Sequence, residues 1–403
     1  MAKGLDISLL TGAFPARSET FVTAHATGLA ARGWRVRVAA TAPGAGMAEA
    51  ELDEIDAVGV ERSYWGGWAE SSAGRALQFG ADALRDPGVV ALLARNKRWT
   101  RPEVFAARRM RRLQNAAPHG VLHIHYGRNA ALLLDAGWTG RAVVTWHGYD
   151  ANIVPRERGQ DVYQDLFTRD WIHTVGSSFM KRRLVTLGAR EDRIVKIPMG
   201  VDFTRFAQVD RRERPEGPLN VVAVGRLDEM KGYPVLIDAV AEALGQGVSL
   251  QLTILGEGPD RASIEARIEA RGLQDRVRLL GAQRSDQVVR ELAAADVFAL
   301  TGVVAASGRV ETQGVAYIEA QATGLPVIAS DVGGVSESLD PGRSGILTAE
   351  GDVAAVAKAL VAYAKDPGLR LEHGQRGAEF VRAAFSMSDM LDAFEALYAR
   401  EAV

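Results

Sequence analysis

Leu5-Asp6-Ile7-Ser8-Leu9-Leu10 is a short apolar run, Thr11-Gly12-Ala13-Phe14-Pro15 breaks it, and Arg35-Val36-Arg37-Val38-Ala39-Ala40 restores it. Short runs rich in Ile, Leu and Val read as buried strands. Between them, Ser18 with Glu19 reads as the cap of a helix that runs to Gly33. Strand, loop, helix and strand make a βαβ unit, which commits this part of the chain to a parallel sheet covered by helices. The pattern returns at Val121–His125, Ala142–Trp146, Trp171–Val175 and Ile194–Ile197, with Ser177 expected to cap a helix reaching Leu187. Residues 41–118 are less regular, and two or three helices are expected there.

A second series begins at Asn220-Val221-Val222-Ala223-Val224-Gly225, followed by a helix from Tyr233. Further strands are expected at Leu250–Leu255, Val277–Leu280, Val297–Leu300 and Val327–Ala329. Asp202–Leu219 is charged, contains Pro215 and Pro218 and lacks apolar periodicity, so it reads as a linker. At 403 residues the chain exceeds the roughly 250–300 at which a single core stops growing. The expected domains are 1–205, with a C-terminal helix at 386–403 returning to it, and 206–385.

Composition narrows the chemistry. There is no cysteine, so disulfides, zinc–thiolate sites, iron–sulfur clusters and thiol nucleophiles are excluded. No apolar run approaches the ~18 residues of a spanning helix, and Ile7–Leu10 is too short for a signal core. A cytoplasmic location is expected. Residues 1–200 hold 27 Lys+Arg against 20 Asp+Glu, while the whole chain has 48 against 50, so a basic first half precedes an acidic second.

Three loops carry candidate chemistry. Thr11–Pro15 lies at a sheet's carboxyl edge, where a glycine lets backbone amides approach a phosphate at a helix start; a turn glycine without a ligand is the alternative. It is not the G-x-G-x-x-G fingerprint, and no acidic residue ends the second strand, which weighs against a nicotinamide oxidoreductase. Gly225-Arg226-Leu227-Asp228-Glu229-Met230-Lys231-Gly232 crowds two cations beside a helix start. Folding does not require that crowding, but a diphosphate does: Arg226 is suited to bidentate contact and Lys231 to a point charge. Both would stabilise charge growing on a leaving diphosphate.

The third loop is Glu311-Thr312-Gln313-Gly314-Val315-Ala316-Tyr317-Ile318-Glu319, continuing into Ala320-Gln321-Ala322-Thr323-Gly324-Leu325-Pro326-Val327-Ile328-Ala329. Glu311 precedes a helix and Glu319 lies about two turns along it. The amides of Thr312, Gln313, Gly314 and Val315 are expected to face a diphosphate, and a carboxylate farther on suits the vicinal hydroxyls of a ribose.

With these motifs the chain resembles the retaining glycosyltransferases of family 4, which have the GT-B fold. The E-x7-E element is Glu311 to Glu319. Asp331-Val332-Gly333-Gly334, Gly256-Glu257-Gly258-Pro259 and Met199-Gly200-Val201-Asp202 also match. Phe14-Pro15-x-x-Ser18-Glu19-Thr20-Phe21 and Trp146-His147-Gly148-Tyr149-Asp150 are similar to the exopolysaccharide, colanic-acid-type branch. The resemblance implies an α/β GT-B architecture: two doubly wound Rossmann-like domains facing across a cleft. It implies hexosyl transfer from a UDP- or GDP-linked sugar to a glycan or lipid-linked acceptor, without metal or other cofactor. Glu319 would bind ribose, Glu311 would face the transferred sugar, and Arg226 and Lys231 would hold the diphosphate with Gly12 beside it. His147 would stand at the donor sugar, and the backbone around Leu280 would read the base. Thr312-Gln313-Gly314 departs from the Gly-Phe-Gly of many members, so the sugar pocket is modified. A natural-product acceptor and a non-catalytic nucleotide-sugar sensor are the alternatives.

Two readings remain beside these. His123 and His125 lie two apart on a strand and offer half a metal site, but no third ligand at suitable spacing is apparent in sequence, and no metal is expected. The basic stretch Arg95–Leu113 reads either as a contact with anionic membrane or as a solvated helix face, and nucleic acid is not expected as a partner.

Overall fold

The computed structural model describes residues 6–16, 19–44, 49–66, 69, 71–95, 98–115, 120–212 and 217–401. The chain divides into two compact units. One comprises Met1–Gly176, Met180–Ile197 and Leu391–Val403; the other comprises Ser177–Phe179 and Pro198–Met390. Among the described residues no helix is long and apolar enough to cross a membrane.

The first unit is built on seven strands: β1 Asp6–Leu10, β2 Arg35–Ala40, β3 Glu61–Tyr64, β4 Gly120–His125, β5 Val143–Trp146, β6 Ile172–Val175 and β7 Ile194–Lys196. Their order is β3-β2-β1-β4-β5-β6-β7, with every pairing parallel. Ile7, Leu9 and Leu10 of β1 are fully buried, as befits a strand covered on both faces. The chain winds outward in both directions from β1 and β4, so the topological switch point lies between them.

The irregular stretch holds more structure than expected. Its described residues form the helices Glu49–Ala57, Ser72–Arg85, Gly88–Arg95 and Arg101–Asn115, besides β3. The sequence Glu61-Arg62-Ser63-Tyr64 carries no apolar run because β3 is an edge strand, half exposed to solvent.

The second unit contains β8 Leu219–Val224, β9 Leu250–Leu255, β10 Val277–Leu279, β11 Val297–Leu300, β12 Val327–Ser330 and β13 Gly345–Thr348. Their order is β10-β9-β8-β11-β12-β13, again all parallel, with the switch point between β8 and β11. The edge strand β13 escapes sequence reading because it is four residues long, opens on Gly345 and carries just two apolar side chains, Ile346 and Leu347. Helix Tyr233–Gly245 buries Tyr233, Leu236, Ile237, Val240 and Ala243, one face of a 3.6-residue period. Its start is set by Gly232, at φ 65°, where a Cβ would lie 1.7 Å from the Thr301 carbonyl oxygen.

The segment read as a linker is packed instead. Phe206 and Leu219 belong to the core of the second unit. The Arg211 guanidinium donates to the carbonyls of Leu292, Ala295 and Thr323, strapping residues 198–212 to that unit. The division therefore falls between Ile197 and Pro198 rather than at 205/206. Burial of two apolar side chains and a multiply bonded arginine outweighs the linker-like composition.

Candidate functional site

Each switch point gathers polar side chains, and the two are described separately. In the second unit, the loop after β8 presents Gly225 and Arg226, and the loop after β11 runs to Glu311. Lys231 and Glu311, 80 residues apart, form an ion pair between largely buried side chains. Burial works to raise the Glu311 carboxyl, but Lys231 and the backbone amides of Gly314 and Thr312 outweigh it and hold the group below its ordinary value. Two of the four amides expected to face a diphosphate thus point at Glu311's own carboxylate. This carboxylate occupies the kind of cradle, a cation with helix-start amides, that suits a phosphate oxygen.

Gly314 takes φ 77° at the start of helix Val315–Ala322, and a Cβ there would press on the Tyr317 ring at 2.7 Å. Gln313 turns its side chain away: Nε2 donates to the Met199 carbonyl at 3.0 Å and Oε1 accepts from the Met199 amide at 2.9 Å. That amide lock explains the departure from Gly-Phe-Gly, since the side chain ties the loop to the strap at Met199.

Arg226 has a side chain 62% exposed, its Nε 3.7 Å from a carboxylate oxygen of buried Asp228. Asp228 also accepts from Arg309 at 2.7 Å. Arg309 was not singled out from sequence; it enters here because a buried carboxylate draws a second guanidinium. Glu319 lies on the helix beyond Gly314, pushed up to about 7 by burial, against an opposing pull from Arg205. Leu280 is already engaged: its amide donates to the Ile254 carbonyl at 2.9 Å, and its carbonyl accepts from Gln283 Nε2 at 2.6 Å. Only the carbonyl's second lone pair is left for a base.

In the first unit, Gly12 follows β1, and a Cβ there would meet nothing within 4 Å. Packing does not require this glycine; the space beside it is open. The expected Ser18 cap lies outside the described residues, and Glu19 does not cap helix Thr20–Ala31. Its carboxyl is raised by burial, partly offset by hydrogen bonds from Tyr126 and Thr11, the latter at 3.2 Å. Tyr126 stands at φ 75°, a strained conformation for a tyrosine, immediately after β4.

His147 lies against the rings of Phe21 and Tyr126, with centroids 4.4 and 4.7 Å away, and its Nε2 is 2.9 Å from His125 Nδ1. Burial holds both imidazoles below the ordinary histidine value, His125 at about 3, so the pair is neutral at pH 7. Asp150 organises the loop that carries His147. Its buried carboxylate accepts from the amides of Gly127, His147, Gly148 and Ala151 at 2.7–3.2 Å. Burial nonetheless raises it to about 6. Sequence gives Tyr126 and Asp150 no role and Glu19 only a place in a helix cap, although Glu19 and Asp150 stand inside recognised motifs.

The third histidine missed from sequence is His25, on helix Thr20–Ala31. The candidate ligand atoms of His25, His123 and His125 all lie within 4.8 Å of one another. Hydroxyl partners already occupy this group: Tyr398 OH stands 2.5 Å from His123 Nδ1 and 3.0 Å from His25 Nε2, and Thr145 Oγ1 stands 2.6 Å from His123 Nε2. His125 Nε2 is buried without a hydrogen-bond partner among the described residues. With both nitrogens of His123 bonded to hydroxyls, the group fits a cation poorly and a hydrogen-bonded network well. Tyr398 and Phe394, whose ring stacks on His25 at 4.3 Å, tie the last helix into this unit.

A separate cavity of about 230 Å³ lies in the first unit among Thr41, Trp65, Glu103, Arg109, Arg128 and Asn129. The Trp65 indole N–H is buried there without a partner among the described residues. Of the basic stretch 95–113, Arg95 and Arg101 are exposed, whereas the arginines of the helix Arg101–Asn115 from residue 108 to 111 turn to protein partners. Arg108 donates through Nε to Asp86 at 2.7 Å, Arg109 to Asp82 at 2.9 Å, and Arg111 to the Ala136 carbonyl at 2.8 Å.

Two doubly wound parallel units, one presenting cations and carboxylates at its switch point, define the architecture of GT-B glycosyltransferases. Residues 18–205 match the model described as Glycosyltransferase Family 4, and residues 205–380 match Glycosyl transferases group 1. The chain belongs to glycosyltransferase family 4. It is 35% identical over 243 residues to WcaL of Escherichia coli, named for colanic acid biosynthesis, covering 59% of each chain. It is 32% identical over 238 residues to the amylovoran biosynthesis glycosyltransferase AmsK of Erwinia amylovora, covering 59% of this chain and 56% of that one. The matched region thus spans about three fifths of the length of these relatives. A glycosyltransferase from Rickettsia africae superposes with TM-score 0.74 at 17% identity, covering 98% of both chains. HepE of Anabaena, in complex with UDP, superposes with TM-score 0.71 at 16% identity, covering 98% of this chain and 100% of that one.

Proposed function

We propose that this protein transfers a hexose from a UDP- or GDP-linked donor to a hydroxyl of a glycan or lipid-linked acceptor, with retention of anomeric configuration. The observation that carries this reading is the convergence of Arg226, Lys231 and the Glu311–Gly314 turn at the second switch point. Lys231 and Arg226 hold the diphosphate and stabilise the charge that grows on it as the glycosidic bond breaks. Glu319 accepts from the ribose hydroxyls. Glu311 faces the sugar once phosphate oxygens take over part of its cradle.

The family resemblance, not a measured distance, assigns His147 to the donor sugar. There it acts as a neutral hydrogen-bonding group oriented by His125, since burial keeps the imidazole uncharged. No nucleophilic carboxylate is invoked: the acceptor hydroxyl attacks from the face the diphosphate leaves, and the departing phosphate takes its proton. The two cations do the work a divalent metal does elsewhere. The acceptor is assigned to the first unit, where the Trp65 N–H, Glu103 and Arg128 suit sugar hydroxyls.

A role in exopolysaccharide assembly is supported by the names of WcaL and AmsK; a cytoplasmic location at the inner face of a membrane is proposed with it. The donor base is to be decided by experiment. HepE binds UDP, whereas a Mycobacterium tuberculosis relative 27% identical over 288 residues is named as GDP-mannose-dependent. Thermal shift with UDP, GDP, ADP and TDP and their common sugars is the test. One diphosphate should stabilise the protein alone among the four; no response to any would overturn the reading. Loss of sugar transfer in Glu311→Gln with donor binding retained distinguishes an enzyme from a sensor.

A further inference from the structure

Helix Ser72–Arg85 is turned inside out. Its acidic residue, Asp82, is 5% exposed and accepts from Arg109 at 2.9 Å, with Arg112 at 3.1 Å, both on helix Arg101–Asn115. Phe79, from the same inner side, rests edge-on against Phe105 at 5.1 Å. The largest apolar side chains of the outer side point to solvent: Leu77 is 77% exposed and Leu84 is 86% exposed. One heptad apart, they share a face, with exposed Ala73 and Ala81 on the same side. A surface helix ordinarily buries its leucines and exposes its aspartate. Here an ion-paired carboxylate has been taken inside while two leucines are left in water, so this face is built to be covered.

The surrounding charge says by what. From Ser71 to Arg101, every exposed charged residue among the described ones is an arginine: Arg75, Arg85, Arg95 and Arg101. Both described carboxylates of this segment are committed inward, Asp82 as above and Asp86 to Arg108. The next helix, Gly88–Arg95, adds Val90, 50% exposed. Exposed leucines on a segment whose exposed described charges are all arginine, with Arg85 next to Leu84, match an interface between acyl chains and anionic headgroups.

We infer that the outer face of helix Ser72–Arg85, centred on Leu77 and Leu84 with Arg85 beside them, docks this protein on an anionic lipid surface. This rests on the proposed transfer to a lipid-linked or membrane-proximal acceptor and identifies the surface that brings the protein to it. The arginines of residues 108–112, the more obvious cationic run, serve instead to bury Asp82 and Asp86 and so turn the leucines outward.

The test is co-sedimentation of the full chain with vesicles of phosphatidylcholine alone and of phosphatidylcholine with phosphatidylglycerol, at low and high salt. Wild type should bind the anionic vesicles at least tenfold more tightly than the neutral ones and lose that preference at high salt. The double variant Leu77→Ser/Leu84→Ser should bind them at least tenfold less, with melting temperature and nucleotide stabilisation unchanged. Equal binding of variant and wild type, or no binding by wild type, overturns the inference. So does light scattering that shows a wild-type dimer dispersed by the double variant, which would make this face an interface between copies. Vesicle binding without any nucleotide response would sink the glycosyl-transfer reading and leave the lipid surface standing.

Discussion

Lys231 and Glu311 form an ion pair across 80 residues of sequence, and the amides of Thr312 and Gly314 point at the same carboxylate. The cation and donors expected to hold a diphosphate are therefore held by a protein carboxylate, which a ligand must share or displace.

Removing Lys231 should hurt twice. In Lys231→Ala, Glu311 is left buried without its counter-ion, a loss of order 3–5 kcal/mol for a fully buried pair and less for one partly reached by water. We expect a lower melting temperature and at least tenfold weaker nucleotide-diphosphate binding. Glu311→Gln should lower transfer at least a hundredfold while nucleotide affinity stays within tenfold. Calorimetric titration beside a transfer assay reads both.

The same pair sets an acid limit. The Glu311 carboxyl is depressed below 4.5 in the folded protein, so its contribution to stability is present above that value. It is lost as pH falls through the lower folded value. Melting temperature followed below pH 5 should fall more steeply in wild type than in Glu311→Gln.

Glu319 behaves oppositely. Raised to about 7, it binds a proton in the folded protein between 4.5 and 7 that the unfolded chain releases. Its ionisation therefore costs stability progressively across that window. The ribose hydroxyls are better received by the carboxylate, so nucleotide affinity should rise from pH 6 to pH 8. In Glu319→Gln that rise should vanish, and the 2′-deoxy nucleotide should bind as well as the ribose form. A pH-independent wild-type affinity would remove Glu319 from the ribose.

Asp150 is the structural keystone of the His147 loop, with four amides directed at one buried carboxylate. Asp150→Ala strands those donors at about 1–3 kcal/mol for each one left buried without water. We expect a drop in melting temperature of several degrees and a large loss of transfer. His147→Ala should cost transfer at least a hundredfold with a smaller fall in melting temperature than Asp150→Ala, since it orphans one nitrogen of His125 rather than four amides. The contrast separates the residue that acts from the one that positions it.

Chelation should leave nucleotide-diphosphate binding unchanged, because Arg226 and Lys231 supply the positive charge. A tenfold loss with EDTA, restored by Mg²⁺ or Mn²⁺, would contradict the metal-free proposal.

Sequence alone determined the central strands of both sheets and the grouping of Arg226 with Lys231 in one loop. Central strands such as β11 and β12 are buried on both faces and so appear as apolar runs, and Arg226 and Lys231 are close enough in sequence to be read as one loop. Edge strand β3 escaped because a half-exposed strand needs no apolar run, and β13 because its two apolar residues are too few to stand out. The strap at 198–212 escaped because its anchor, Arg211, looks like any surface arginine until the carbonyls it binds are known. Only the tertiary structure could join His25, His123, His125 and Tyr398, set Glu19 beside Tyr126, and pair Lys231 with Glu311. The helix Ser72–Arg85 makes the same point. Its pattern alone implies that Leu77 and Leu84 face inward, but arginines from another helix make burial of Asp82 favourable, and that long-range pairing turns the apolar face outward.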